Sequence, residues 1–69
     1  MFYFFQRDAD FVRCEISRDD KSGYWITITE PEGTERPETF DTSEAVHARW
    51  LEIQDGFKSD GWWGPHGRD

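Results

Sequence analysis

Residues 40–63, FDTSEAVHARWLEIQDGFKSDGWW, decide the fold, because no other part of the chain carries sustained helical periodicity. Their apolar side chains recur at i, i+4, i+7 and i+11, which places them in one stripe along a helix of 3.6 residues per turn. The stripe consists of Val46, Trp50, Ile53 and Phe57. This spacing predicts an α-helix over about residues 43–59, with one apolar face to bury.

Signals for both ends of the helix flank this stripe. Asp41 or Thr42 can accept hydrogen bonds from the first free backbone N–H groups and begin the helix. Its end has two candidates, since Gly56 or Gly61 could be the left-handed residue that terminates a helix. An internal glycine costs only about 1 kcal/mol relative to alanine, and the apolar stripe continues past Gly56. We therefore expect the helix to end near Ser59, with Gly61 as the terminator.

The segments before the helix are predicted to be β-strands, because they alternate apolar and polar residues and turn residues separate them. The predicted strands are about 2–7, 11–17, 24–30 and a possible edge strand at 36–40, where Pro37 cannot donate to a ladder. Residues 62–69 are predicted to be an irregular tail. The expected fold is α+β in a single domain, residues 1–69: an antiparallel β-meander of three to four strands with one C-terminal α-helix packed on one face.

Composition and charge exclude several classes of function. The net charge is −7, with four basic and ten acidic side chains in residues 30–69, which argues against nonspecific binding to nucleic acid and against anionic membranes. Cys14 is the only cysteine, so no internal disulfide can form and nothing indicates an oxidising compartment. The chain has no signal-peptide pattern and no apolar run of ~20 residues. We expect a small, soluble, cytoplasmic protein.

The best functional clue is a surplus of aromatic residues, twelve in all, beside a single leucine. If Phe2, Phe4 and the apolar faces of the next two strands meet the helix, alternation sends other aromatic side chains to the opposite, outer face of the sheet. Such a patch usually marks an interface, and arginine is also enriched there. The predicted interface residues are Tyr3, Phe5, Arg7, Phe11, Arg13 and Trp25. The contact would be with a protein partner or with a second copy in a homodimer. The competing interpretation is that the 62–63 tryptophan pair, or the edge segment, folds back and covers this face.

Two other binding functions are weaker candidates. Bases could stack on the outer aromatic residues, but platforms of that kind lie in electropositive surroundings, which this acidic chain lacks. The alternative function is acidic mimicry of DNA, in which carboxylates imitate a row of phosphates and inhibit a nucleic-acid-binding protein, in the style of phages and mobile elements. Its candidate carboxylates are Glu30, Glu32, Glu35, Glu38, Asp41, Glu44, Glu52 and Asp55. The simpler interpretation is an acidic surface that keeps an aromatic-rich protein dissolved.

Nothing in the sequence forms a catalytic constellation. Glu44 and His47 share a helix face but have no third ligand at a suitable spacing, so a metal site is not expected. His66 lies in the predicted tail, and Cys14 has no basic partner that spacing can identify. We expect no enzyme activity, no cofactor and no small-molecule substrate.

One resemblance depends on the order of elements. A strand, an acidic loop, the Tyr24-Trp25 strand, the FDTSEA start of the helix at 40–45 and its Gly61-Trp62 end occur in that order. This order resembles the WGR domain of DNA-break-binding proteins, over about residues 11–63. The Trp-Gly-Arg signature is absent, since PEGT stands at 31–34, and so is a basic DNA-facing surface, so we transfer no function from that family.

Overall fold

A computed structural model describes residues 1–21 and 23–68 of the chain. It contains five strands and one helix, in this order: β1 Phe2–Arg7, β2 Asp10–Asp19, β3 Gly23–Thr29, β4 Glu35–Phe40, α1 Ser43–Ser59 and β5 Trp63–Arg68. The strands form one antiparallel sheet in the order β4-β3-β2-β1-β5. The predicted α+β class, with an antiparallel sheet and one helix, is confirmed, and the sheet has one strand more than the three to four expected.

Helix α1 has side-chain and backbone caps at its two ends. Thr42 is the N-cap, and its side-chain oxygen accepts a hydrogen bond from the N–H of Ala45 at 3.1 Å. At the other end Gly61 adopts φ +85°, and the N–H groups of Gly61 and Trp62 donate to the carbonyls of Lys58 and Phe57. These two bonds form a Schellman motif, which satisfies the last free carbonyls. Gly61 therefore terminates the helix, and Gly56 is an internal residue.

The helix packs on one face of the sheet and closes a small core. It begins directly after β4 and ends where the Arg7 side chain of β1 donates to the carbonyl of Asp60, so it crosses the sheet diagonally. The buried residues come from three strands, β1, β2 and β3, from the apolar stripe of the helix and from the segment that links the helix to β5. They are Phe5, Val12, Cys14, Ile26, Ile28, Val46, Trp50, Ile53 and Trp62.

The predicted orientation of β1 is wrong. Phe5 pairs with Val12 and Tyr3 pairs with Cys14, and paired residues of an antiparallel ladder lie on the same face. Tyr3 and Phe5 therefore face the helix, whereas Phe2 and Phe4 face outward. The four residues of FYFF are apolar throughout, so either orientation would bury two aromatic rings and alternation alone cannot choose between them.

The predicted irregular tail is also wrong over its described residues; Asp69 lies outside them. Trp62 is buried in the core, and the residues after it form β5 against β1. Without β5, the apolar strand β1 would have a row of unpaired backbone groups at the edge of the sheet. Gly64 allows the close approach, because a Cβ atom there would lie 2.9 Å from the carbonyl oxygen of Phe4.

Candidate protein-interaction surface

The outer face of the sheet, which points away from α1, carries a cluster of aromatic side chains on β1, β2 and β5. The register places Phe4 beside His66, and Phe11 beside Gln6, on this face. The Phe4 ring lies 6.0 Å from that of Phe11 and 5.3 Å from that of His66, and the His66 ring lies 4.6 Å from that of Trp63. We call this cluster the outer aromatic patch; it consists of Phe2, Phe4, Phe11, Trp63 and His66.

Two members of the patch are strongly exposed. Trp63 is 69% exposed and Phe11 is 51% exposed, although both are large apolar side chains. The core on the other face is complete without them, since all of its members come from the helix-facing side of the sheet, from α1 and from Trp62. Packing among the described residues therefore does not account for their exposure.

Charged side chains lie next to the patch on the central strand β2. The Arg13 guanidinium carbon lies 5.7 Å from the centre of the Phe2 ring, a cation–π contact. Glu15, two residues further along the same face, is directly opposite Phe2. Within residues 1–21 and 23–68, neither Arg13 nor Glu15 forms an ion pair. A positive and a negative group thus lie beside exposed aromatic surface, and no ion-pair partner for either is found in the part of the chain that the structure describes.

Three of the six predicted interface residues lie on the helix-facing side. Phe5 is fully buried, with its ring 4.8 Å from that of Phe57, and the Tyr3 ring packs on Trp50 at 4.9 Å. Arg7 turns the same way: its Nη1 atom donates to the Asp60 carbonyl at 3.0 Å and pairs with the Asp60 carboxylate at 3.1 Å. Its guanidinium carbon also lies 4.5 Å from the centre of the Trp62 ring. These residues attach the end of the helix to β1.

The other three predicted residues lie on the outer face, but not all in one place. Phe11 belongs to the patch and Arg13 lies beside it. Trp25 is on β3, where it pairs with Ser17 on one side and Thr39 on the other. Polar neighbours and the width of β2 therefore separate half-buried Trp25 from the aromatic patch.

Four patch members were missed from the sequence: Phe2, Phe4, Trp63 and His66. A usable signal exists for the first two. If residues 8–9 form a two-residue hairpin turn, the pair Arg7–Asp10 closes it, and the register then places Phe5 opposite Val12. Because Val12 belongs to the clean alternation of β2, Phe5 must face inward and Phe4 outward. No comparable signal identifies β5, because glycine and proline in WGPHGR are typical of turns.

An open cleft lies on the other side of the sheet, in the corner that the diagonal helix leaves uncovered. Its volume is about 350 Å³, within the range of small-molecule sites. Its lining includes the apolar side chains of Ile28, Ile53 and Phe57 and the charged side chains of Arg36 and Arg49. Both guanidinium groups are already engaged by carboxylates, so the cleft presents paired charges.

Arg49 is paired with two carboxylates. Its Nε and Nη2 atoms donate to the two oxygens of Glu38 at 2.8 and 3.1 Å, and its Nη1 atom lies 3.6 Å from Glu52. The hydrogen bond from Arg49 holds the pKa of Glu38 below its ordinary value. The Nη2 atom of Arg36 lies 2.6 Å from the Oε1 atom of Glu30, a single ion-pair contact.

These ion pairs bear on the hypothesis of DNA mimicry. Of the eight carboxylates proposed for it, Glu30, Glu38 and Glu52 are paired with arginine. Five have no ion pair in the described part of the chain: Glu32, Glu35, Asp41, Glu44 and Asp55. They are spread over a turn, the edge strand β4 and two ends of the helix, so no single element presents them as a row.

The potential nucleophile and metal ligands are not arranged for chemistry. Burial raises the pKa of the Cys14 thiol to about 12, with a further contribution from the charge of Glu30, so the thiol stays protonated near neutral pH. The Nε2 atom of His66 is buried between the Phe4 and Trp63 rings and has no hydrogen-bond partner among the described residues. Across the described ranges, no group of three or more His, Cys, Asp or Glu side chains could hold a metal ion. No helix in them is long and apolar enough to cross a bilayer.

Comparisons with known protein families, with curated proteins and with solved structures find no match for this chain.

Proposed function

We propose that this protein is a small, acidic, non-enzymatic interaction module that binds a protein chain through its outer aromatic patch. The observation that carries the proposal is the exposure of Trp63 and Phe11 on the face of the sheet opposite a complete core. Single exposed apolar residues are ordinary, but contiguous aromatic residues on one face are typical of interfaces. Arg13 beside them supplies the other residue type that is enriched in binding hot spots.

The character of the patch favours a protein over a nucleic acid. Ring stacking on bases needs cationic groups along the strand, whereas the outer face offers Arg13 next to Glu15 in a chain of net charge −7. A protein surface, in contrast, can match a mixed pair of charges and aromatic side chains at once. We expect the module to act in the cytoplasm, where its protonated, buried thiol needs no oxidised partner.

The test replaces the two most exposed patch residues with charges. The double variant Phe11→Glu/Trp63→Glu should fold, because neither side chain belongs to the core, and it should lose binding by at least ~100-fold, as for central hot spots. The matched control is Leu51→Glu, which puts a charge at an apolar residue that is 47% exposed on α1, away from the patch.

The measurement is quantitative affinity capture from an extract of the source cells, followed by titration calorimetry with each purified partner. Circular dichroism and thermal unfolding of every variant report whether the fold is retained. Partners held by the wild type and by Leu51→Glu should be lost by the double variant. A folded double variant that retains the same partners with the same affinity would refute the proposed function.

A further inference from the structure

Two charged side chains at the centre of the outer face indicate what the partner is. The inference rests on the proposed function, that this face binds a protein. At the centre of the face, on the middle strand of the sheet, Arg13 and Glu15 stand two residues apart and point the same way. One is positive and the other negative, so the centre of the face is neutral in a strongly acidic protein.

Both groups are placed where burial requires a partner of opposite charge. Arg13 lies between Phe4 on β1 and Thr29 on β3, and Glu15 lies between Phe2 and Thr27. Neither has an ion-pair partner among the described residues. Covering this face with an apolar surface would bury two charges without partners, which costs free energy. The occupant best matched to this face presents a carboxylate over Arg13 and a cation over Glu15, about 6.6 Å apart.

A second copy of this same face meets that requirement. We infer that the outer face forms a homodimer about a two-fold axis that lies in the interface, perpendicular to β2, and crosses it between Arg13 and Glu15. The axis reverses the strand direction, so Arg13 of each copy faces Glu15 of the other, as an isologous contact requires. The same rotation places Phe2 of one copy over Phe4 of the other, because these residues occupy the same two rows on β1.

The distances allow these contacts. Packed sheets lie about 10 Å apart, a gap that extended arginine and glutamate side chains span together. Sheets in a sandwich cross at about 30°, and each charged residue lies only about 3.3 Å from the axis, so this rotation moves it sideways by less than about 2 Å. The Arg13–Glu15 pairs therefore stay within reach of each other.

The size of the face predicts a weak dimer. Five strands at about 4.8 Å spacing and about 20 Å length give a projected face of roughly 480 Å², compared with about 800 Å² per partner in a standard interface. Two chains of charge −7 also repel each other at long range. Association should therefore be reversible and depend on protein concentration.

The experiment is sedimentation velocity on the purified full chain, at concentrations up to about 1 mM and about 0.15 M salt. The wild type should form a dimer. Arg13→Glu alone and Glu15→Arg alone should each weaken dimerisation at least ~10-fold, because each places two like-charge pairs in the interface. An equimolar mixture of the two single variants should form a heterodimer, since both pairs are then opposite in sign. The reversed double variant, Arg13→Glu/Glu15→Arg, should also recover the homodimer.

A charge-matched control separates the specific Arg13–Glu15 pairing from the effect of net charge. Asp55→Arg changes the charge by the same amount as Glu15→Arg, on exposed helix surface, and should leave dimerisation unchanged or slightly stronger. A wild type that stays monomeric throughout overturns the homodimer, while the proposed function stands if Phe11→Glu/Trp63→Glu still abolishes capture of another protein. A wild-type dimer that both single variants preserve, with no gain on mixing, overturns the two-fold axis through β2.

Discussion

Neighbouring phenylalanines on β1 provide a direct test of the fold, because they lie on opposite faces of the sheet. Phe5 is fully buried against Phe57 and Trp50, whereas Phe4 is half-buried on the outer face beside Phe11. Removing a fully buried phenylalanine side chain costs about 3–5 kcal/mol, through lost transfer energy and a residual cavity. Truncation of Phe4 leaves no enclosed cavity and should cost about 1 kcal/mol, near the average for point substitutions.

The total stability of the domain sets how these costs appear in an assay. At about 0.05–0.15 kcal/mol per residue, a chain of this size is stable by roughly 3–10 kcal/mol. Phe5→Ala should therefore remove from about a third to all of this stability, and Phe4→Ala should lower the melting temperature by about 4–8 °C. Phe5→Leu retains most of the apolar volume and keeps the comparison measurable if Phe5→Ala does not fold.

The assay is urea denaturation followed by circular dichroism, with Phe4→Leu as the matched partner of Phe5→Leu. The free energy of unfolding should fall more for the substitution at Phe5 than for the same substitution at Phe4. The reverse order would show that β1 pairs with β2 one residue out of the described register, since a one-residue slip exchanges the two faces. The outer aromatic patch would then consist of different residues.

Three further predictions concern the helix, one ion pair and the thiol. Gly61→Ala should lower the free energy of unfolding by about 1–2 kcal/mol because φ is +85°, whereas Gly56→Ala should raise it by about 1 kcal/mol in the same urea titration; equal effects would contradict the assigned helix end. Arg49 lowers the pKa of Glu38, so their pair contributes its full stabilisation at pH values above the ordinary glutamate pKa. This stabilisation is lost as the pH falls through the lowered pKa. The stability difference between wild type and Glu38→Gln, up to ~1 kcal/mol at neutral pH, should disappear in acid; a difference that persists at low pH would contradict this origin. A colorimetric thiol reagent should label Cys14 only as the chain unfolds, and rapid labelling of the native protein would show that the thiol is accessible.

Local signals in the sequence account for the helix and most of the meander. The stripe from Val46 to Phe57 and the threonine and glycine at its ends act within one or two turns of the helix, so they can be read without knowing the fold. The alternation in β2 and β3 is equally local, because polar residues mark the outer positions. These features predicted the α+β class and the face of the sheet on which the helix packs.

Only the tertiary structure decides the orientation of β1 and the pairing of the last residues as strand β5. It therefore also decides which residues form the outer aromatic patch. In FYFF both faces are apolar, so the choice depends on the register with β2 and on the space beneath Trp50 and Phe57. Trp62 and Trp63 are identical in type, yet one is buried and the other exposed, because the backbone turns at Gly61 and then pairs with β1. An aromatic outer face follows from composition and alternation. Which side chains form it depends on long-range strand pairing, and periodicity along the chain carries no information about that pairing.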